Sequence, residues 1–142
     1  MQKITVHATK EFDLLGFLAA QGFEVEVLTD NVFKITRDDD LPVFLSHNSG
    51  SLYFEVDIAN VDDALRSDHP QGDFAIMEEF LDLNTEVLPV SFGINSTDPA
   101  DRRLVLVESR VTGDLSDQEL LSVFDALSIA VDKAEKVLAS RL

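Results

Sequence analysis

Residues 104–138 read LVLVESRVTGDLSDQELLSVFDALSIAVDKAEKVL, a pattern that predicts a strand, a short turn and a long helix. Ser116 and Glu119 have the spacing of a capping box, the side-chain pair that satisfies free N–H groups at a helix start. From Leu120 to Leu138, apolar residues recur at alternating steps of four and three, so they share one helix face. This stripe predicts a helix that packs on a sheet, with a helix–helix seam as the alternative.

The strand that opens this stretch is apolar on both faces. Leu104 and Leu106 point to one side of the expected sheet, and Val105 and Val107 point to the other. A strand of this kind is usually covered on both sides. We therefore expect helices of this chain to cover one face and a second copy or a partner to cover the other.

Residues 81–94, LDLNTEVLPVSFGI, predict a helix end followed almost directly by a strand. Proline has no N–H for a sheet ladder, so Pro89 predicts an edge strand or a strand start. The strand is expected to face the core with Leu88, Val90, Phe92 and Ile94. The helix before it, from Asp73 to about Asn84, is expected to have an inner stripe of Phe74, Met77, Phe80 and Leu81.

The first part of the chain completes an α+β pattern. Apolar periodicity predicts a helix over residues 10–21, two strands within residues 23–36 and two more within residues 41–58. A short helix capped by Asn60 follows over residues 60–67. No internal repeat or linker interrupts this series. The sequence therefore predicts one α+β domain, residues 1–142, in which helices pack on an antiparallel sheet in the order α-ββββ-α-ββ-α.

Acidity is the strongest deviation in the composition, with 27 acidic and 11 basic residues and a net charge of −16. Between Asp38 and Asp101 there are 15 acidic residues and one basic residue, Arg66. Such a field repels phosphate, which argues against nucleic acid and favours a basic protein partner; adaptation to salt is the alternative. The candidate acidic partner surface consists of Asp38, Asp39, Asp40, Asp62, Asp63, Glu78 and Glu79.

Several function classes receive no support from the sequence. The chain has no cysteine, which excludes disulfides and thiolate chemistry. It contains no glycine-rich phosphate loop, no GxSxG elbow and no apolar run of bilayer length. We therefore expect a cytoplasmic protein with no cofactor, no catalytic site and no insertion into a membrane.

The best candidate for a chemical site in the sequence is the stretch HPQGD, residues 69–73. Asp68, His69 and Asp73 could together hold a metal ion through two carboxylates and an imidazole, which makes a metal-dependent hydrolase an alternative function. A polar turn followed by a helix cap explains the same residues more simply.

The second half of the chain, with a helix ending in LDLN, a strand, a turn and residues 104–138, resembles the type III secretion chaperones. Those are small acidic cytosolic proteins of order α-βββ-α-ββ-α, one strand fewer than expected here. The length, the acidity and the stretch LPVSFGI resemble the YjfI-like family of uncharacterised bacterial proteins. Its members are similar to the secretion-chaperone fold, and their genes lie near those for phage-shock membrane-stress proteins.

The resemblance implies a homodimeric, non-enzymatic binder that shields or tethers another protein. Secretion chaperones dimerise through the second helix and the late strands, and the remaining sheet surface would hold an extended partner. With Pro89 at the expected sheet edge, the candidate dimer or partner interface consists of Phe80, Leu81, Pro89, Val105 and Val107. The alternative implied by the resemblance is a regulatory partner of a phage-shock-type membrane-stress coiled-coil protein, contacted through the acidic surface.

Overall fold

The structure, a computed structural model, describes residues 11–64, 72–113 and 115–139. The elements in chain order are α1 Glu11–Ala20, β1 Glu24–Thr29, β2 Val32–Thr36, β3 Val43–Asn48, β4 Ser51–Asn60, α2 Val61–Ala64, α3 Gly72–Leu83, β5 Ser91–Asn95, β6 Arg103–Val111 and α4 Asp117–Ala139. This order confirms the predicted α+β fold. The single-turn helix α2, capped by Asn60, precedes α3 as the sequence predicts.

The strands form one antiparallel sheet in the order β1-β2-β3-β4-β6-β5. Strands β1 to β4 are joined by short turns, while β6 pairs with β4 on one side and with β5 on the other. Strands β1 and β5 are therefore the two edges of the described sheet. Strand β5 is an edge strand, as Pro89 predicts, but Pro89 itself lies in a turn two residues before the strand and not within it.

Two turns have the backbone conformation that their sequences predict. Gly22 has a φ of 94° directly after α1, and the N–H of Phe23 reaches back to the carbonyl of Leu18, as at many helix ends. Ser49 and Gly50 have φ values of 51° and 80° in the β3–β4 hairpin. This left-handed pair is typical of a two-residue hairpin loop and sets the register between β3 and β4.

The hydrophobic core lies between one face of the sheet and the described helices. Phe54 of β4 meets Phe124 of α4 edge to face, with ring centroids 5.7 Å apart, and Phe23 lies 4.8 Å from the same ring. Leu14 and Leu18 of α1 are buried in the same cluster. The described helices thus form a single layer, and the opposite face of the sheet carries no described helix.

Helix α4 begins and packs as its sequence predicts. The N–H of Glu119 donates to Ser116 Oγ at 3.1 Å, and the Ser116 hydroxyl donates to the Glu119 carboxylate at 3.0 Å. The predicted stripe is buried from Leu120 to Ala134 and half-buried at Leu138. Packing on the sheet is therefore confirmed. No described helix combines the length and the apolar content that crossing a membrane requires.

The stretch between α3 and β5 differs from the prediction. Residues 84–90 form turns, with the N–H of Val90 bonded to the carbonyl of Val87, and the Leu88–Pro89 peptide is cis. Val90 and Phe92 are buried as expected, but Leu88 is 73% exposed and Ile94 is exposed. The prediction was wrong for these two residues. Side chains alternate between the two faces of a sheet only within a strand, and Leu88 precedes the strand. Ile94 lies within the strand but at the sheet edge, where fewer neighbours cover it.

The prediction for the inner stripe of α3 was wrong at two residues. Ile76 and Phe80 are buried, whereas Leu81 is 69% exposed and Met77 is also exposed. The side chain of Phe74 lies outside the described residues. A rotation of about 100° per residue separates Leu81 from Phe80, so the core reaches Phe80 and Ile76 and leaves Leu81 at the rim.

Candidate protein-binding groove

An apolar groove opens at the edge of the sheet, where α2, α3 and β5 meet. It encloses a cavity of about 160 Å³. We call it the α3–β5 groove, and its main lining side chains are Val61, Met77, Phe80, Leu81, Phe92 and Ile94. Asn84 is the polar side chain among the described residues that line it.

The floor of the α3–β5 groove belongs to the hydrophobic core. The rings of Phe80 and Phe92 are 5.0 Å apart at an interplanar angle of 63°, a favourable edge-to-face arrangement. Leu104 of β6 is buried beside them. The groove is therefore formed by packing between α3 and the sheet and does not depend on a flexible loop.

The rim of the α3–β5 groove carries exposed apolar side chains. Leu81 is 69% exposed, Ile94 44% and Met77 37%. Single exposed apolar residues are common on protein surfaces, but several that surround one apolar cavity are typical of a binding site. This arrangement can hold an apolar side chain of another molecule.

Asn84 closes part of the β5 edge. The N–H of Phe92 donates to Asn84 Oδ1 at 2.6 Å, and Asn84 Nδ2 lies 3.5 Å from the carbonyl oxygen of Phe92, to which it donates. One side chain thus bonds both backbone groups that a neighbouring strand would bond at this position. The sequence predicted Asn84 as a helix end, and nothing in its local pattern indicates the bond to Phe92.

The candidate acidic residues separate into two groups. Asp62 and Asp63 of α2 are exposed next to Val61 and Ala64, which line the α3–β5 groove. Asp62 pairs with Arg102 at 3.1 Å. Glu78 and Glu79 are exposed on α3 and adjoin the groove residue Met77. Asp62, Asp63 and Glu78 therefore flank the groove, whereas Glu79 lies with Lys136 and Val137 of α4.

Asp38, Asp39 and Asp40 lie elsewhere, in the β2–β3 loop. Asp40 contacts Arg37 at 3.6 Å and Ser128 of α4 at 3.3 Å. Three strand spacings, roughly 14 Å, separate β3 from β5. The candidate acidic residues therefore lie in two groups over different strands, and their role as one partner surface stays a prediction.

The sheet face opposite the helices carries a polar network. Arg103 pairs with Asp57 and Asp101, both at 3.0 Å, and Asn60 donates to Asp101 at 2.6 Å. The bonds from Asn60 and Arg103 lower the pKa of Asp101, and the carboxylates of Asp101 and Asp57 raise the pKa of Arg103. Beside them, burial and the hydrogen bond to Glu55 raise the pKa of Tyr53 to about 12.

Val105 is only 3% exposed on this face, although no described helix covers it. It lies in register between Asp57 of β4 and Gly93 of β5, next to the Arg103 ion pairs. Val105 is thus buried within this chain, and the expected cover of this sheet face by a second copy or a partner stays a prediction.

The structure does not bring the five candidate interface residues together. Phe80 is in the groove floor, Leu81 is on the groove rim, and Pro89 is exposed before β5. Val105 and Val107 are on the opposite sheet face, where Val107 is half-buried. Met77, Asn84 and Ile94, which the sequence did not select as interface residues, complete the groove instead.

The candidate metal site cannot be placed in the fold. Asp68 and His69 lie outside the described residues, and so does the side chain of Asp73. Within residues 11–64, 72–113 and 115–139, no three histidine or carboxylate side chains lie close enough to hold a metal ion.

Known structures share this fold at low sequence identity. A chain of the heterodimeric ExoU-SpcU complex from the type III secretion system of Pseudomonas aeruginosa is 18% identical, with a TM-score of 0.66 over 86% of this chain and 94% of that one. YbjN from E. coli is 13% identical, with a TM-score of 0.63 over 93% and 96% of the two chains. A protein from Methanothermobacter thermautotrophicus is 14% identical, with a TM-score of 0.58 over 92% and 97%.

No curated protein sequence is similar enough to match this chain. The structural similarities confirm the secretion-chaperone-like fold that the order of elements predicted. The sequence model of the Tir chaperone protein (CesT) family matches residues 14–138, from α1 to the end of α4. This protein belongs to the Tir chaperone protein (CesT) family.

Proposed function

We propose that this protein is a non-enzymatic binding module that shields or tethers a segment of another polypeptide in the α3–β5 groove. The observation that carries the proposal is the apolar cavity surrounded by the exposed side chains of Met77, Leu81 and Ile94. Membership of a chaperone family supports a role in protein binding. The complex of two different proteins formed by ExoU and SpcU supports it as well.

The dimensions of the groove suit one anchoring side chain. A dry cavity of about 150 Å³ is large enough to admit benzene, so about 160 Å³ accommodates one aliphatic or aromatic side chain. Burying such a side chain contributes about 1.5–3 kcal/mol. Further burial of Leu81, Met77 and Ile94 on the rim would add to this contribution.

The proposal predicts that Leu81→Asp reduces the capacity to keep an unfolded model protein from aggregating. The introduced carboxylate would have to be desolvated at the groove rim, which opposes the docking of an apolar segment. Light scattering of the model protein during dilution from denaturant measures the effect. Ile129→Asp is the matched control, because Ile129 is also exposed but lies on α4 outside the groove. Equal loss of protection in both variants would contradict the proposal.

We propose that the part of the expected dimer interface formed by Val105 and Val107, on the sheet face opposite the helices, contacts a second copy. Tyr53 and Val111 are exposed there and Val107 is half-buried, with no described helix above them. Stable interfaces bury about 1,200–2,000 Å² in total, and one face of a six-stranded sheet offers an area of that order.

Sedimentation velocity at micromolar concentration tests this second proposal. The wild-type protein is expected to sediment as a dimer and Val111→Asp as a monomer. Val27→Asp, at an exposed valine of β1, is expected to remain dimeric. A wild-type protein that stays monomeric at high salt would contradict the dimer.

A cytoplasmic location and a membrane-stress coiled-coil partner remain predictions from the sequence and its resemblance. The carboxylates that flank the groove, Asp62, Asp63 and Glu78, support a contact that depends on charge. A contact of that kind weakens as salt rises from low to physiological concentration. Binding of such a coiled coil that is independent of salt would count against these carboxylates as its site.

A further inference from the structure

We propose that the β2–β3 loop, residues 37–42, is a lid that opens locally over an apolar cavity beneath α4, and that Arg37 holds this lid closed. We call these residues the β2–β3 lid. The inference goes beyond the proposed function and does not involve the α3–β5 groove. It depends on the contacts between the lid and α4, on the cavity beneath the lid, and on the exposure of the ion pairs that close it.

Two residues of the β2–β3 lid contact two residues of α4. Arg37 Nη1 donates to Asp125 Oδ1 at 3.1 Å, and the hydroxyl of Ser128 donates to Asp40 Oδ1 at 3.3 Å. Within the lid, Arg37 Nε lies 3.6 Å from Asp40 Oδ2. Asp125 and Ser128 are three residues apart and therefore lie on the same side of α4. Polar side chains thus tie the lid to one short patch of one helix.

The guanidinium of Arg37 also covers the aromatic part of the core. Its central carbon lies 5.1 Å from the centroid of the Phe23 ring, a cation–π arrangement. Phe23 in turn packs on Phe124 of α4, with ring centroids 4.8 Å apart. Arg37 therefore contacts a carboxylate of α4, a carboxylate of the lid and an aromatic ring of the core.

A small cavity lies beneath the β2–β3 lid. Its volume is about 20 Å³, enough for one water molecule. Arg37, Asp40 and the half-buried Leu41 line it from the side of the lid. Side chains beside a void lose dispersion contacts, so part of the attraction that would hold the lid on the core is missing. The rest of the lining is mostly buried and apolar and includes Phe23, Val43, Val56, Phe124 and Leu127.

The ion pairs that close the β2–β3 lid are exposed to solvent. The side chain of Asp125 is 64% exposed, that of Asp40 41% and that of Arg37 29%. Exposed ion pairs contribute little to stability, because water screens the charges and both side chains must be ordered. A segment that such pairs hold over an incompletely filled space opens more readily than the whole chain unfolds.

The charges on the two sides of the contact make Arg37 the residue that decides between the closed and the open lid. Arg37 bridges the carboxylate of Asp40 on the lid and that of Asp125 on α4. Without the charge of Arg37, two carboxylates of like charge remain there, which favours the open lid. Opening removes the cover from Phe23 and Val43 and exposes an apolar surface that is separate from the α3–β5 groove.

Labelling of an introduced cysteine measures the opening, because the chain has no cysteine of its own. Val43→Cys places a thiol in the cavity wall, at a position that is 7% exposed when the lid is closed. Val123→Cys is the matched control, at a buried valine of α4 that does not line the cavity. A thiol reagent such as DTNB is applied at several urea concentrations below the unfolding transition.

We expect Val43→Cys to react at least about tenfold faster than Val123→Cys when both rates are corrected for the global stability of each variant. Its rate should also depend less on urea, because a local opening exposes less surface than unfolding does. Urea denaturation gives the global stability. Val56→Cys, at another position of the cavity wall, repeats the measurement if Val43→Cys does not fold.

Arg37→Met tests the residue that holds the lid. Methionine retains an apolar stem next to Phe23 and removes the charge, so in the Val43→Cys background it is expected to speed labelling about fivefold. Arg102→Met is the matched control, since Arg102 pairs with Asp62 at the same distance, 3.1 Å, and at similar exposure outside the lid. It is expected to change the rate less than about twofold.

The opposite results would each overturn the inference. Equal labelling rates and equal urea dependence in Val43→Cys and Val123→Cys would mean that the cavity opens only when the whole chain unfolds. A rate in Val43→Cys that Arg37→Met leaves unchanged would exclude Arg37 as the residue that holds the lid. Equal acceleration by Arg37→Met and Arg102→Met would indicate a general loss of stability and no lid.

Discussion

Asn84 is the residue whose role depends most on its surroundings. In sequence it follows α3 and looks like an ordinary helix end. In the fold its amide bonds the backbone of Phe92, eight residues later, and so covers one site on an exposed strand edge. Edge strands are a risk for unwanted pairing, and a side chain that occupies the edge reduces that risk without a further strand.

Asn84→Ala is expected to lower the free energy of unfolding by about 1–3 kcal/mol, because a partly buried N–H and carbonyl lose their partner. Urea denaturation measures the loss. Asn48→Ala is the control, since Asn48 is exposed and its side chain accepts a bond from the neighbouring Ser49, and its change should stay within about 0.5 kcal/mol. Equal losses in the two variants would mean that the Asn84–Phe92 bond contributes little.

Tyr53 gives a direct measure of the polar network on the open sheet face, since the chain contains one tyrosine and no tryptophan. Its raised pKa, about 12, means that the folded protein favours the neutral phenol. The resulting stabilisation is present below the ordinary pKa of 10 and is lost as the pH rises from 10 towards 12.

Titration of the phenolate absorbance is expected to give a midpoint near 12 in the wild-type protein. Glu55→Gln should lower that midpoint without returning it to 10, because burial, the larger cause of the shift, remains. A midpoint that does not move in Glu55→Gln would exclude the Tyr53–Glu55 hydrogen bond as a cause.

At the scale of elements, helix α4 could be predicted from sequence and strand β5 only in part. The capping pair Ser116 and Glu119 and the apolar stripe are local patterns, and a helix of 23 residues contains several repeats of its stripe. Strand β5 has five residues and follows a series of turns. The alternation of apolar and polar residues over so short a strand does not determine where the strand begins.

Ser116→Ala is expected to destabilise the protein by about 0.5–2 kcal/mol through loss of the cap of α4. The control is Ser122→Ala in the same helix, where the hydroxyl donates to the carbonyl of Gln118 within the helix. Its removal should change stability by less than about 0.5 kcal/mol. Thermal and urea unfolding of the two variants provide the comparison.

For the whole molecule, the sheet topology concentrates charge at one end. One end of the sheet contains the end of β2, the start of β3, the ends of β4 and β5, and the start of β6. The loops and the short helix at this end carry Asp38, Asp39, Asp40, Asp62, Asp63, Asp98 and Asp101. Arg37, Arg102 and Arg103 pair with some of these carboxylates and offset part of the repulsion.

We expect the free energy of unfolding to rise between 20 and 500 mM NaCl, since salt screens repulsion among the acidic residues more than it weakens the few ion pairs. Urea denaturation at the two salt concentrations measures the change. Neutralising Asp38 and Asp39 together should reduce this dependence on salt. Stability that falls with salt would mean that the arginine pairs outweigh the repulsion.

The sequence by itself determined the α+β order, the hairpin turns, the cap and stripe of α4, and the acidity of the middle of the chain. These features depend on spacing between near neighbours, which a linear pattern contains. Only the tertiary structure decided that Leu81 lies at a groove rim, that Asn84 closes the edge at Phe92, and that the acidic residues form two groups. Those features depend on the rotation of α3 against the sheet and on the placement of β6 between β4 and β5, and packing between distant segments sets both.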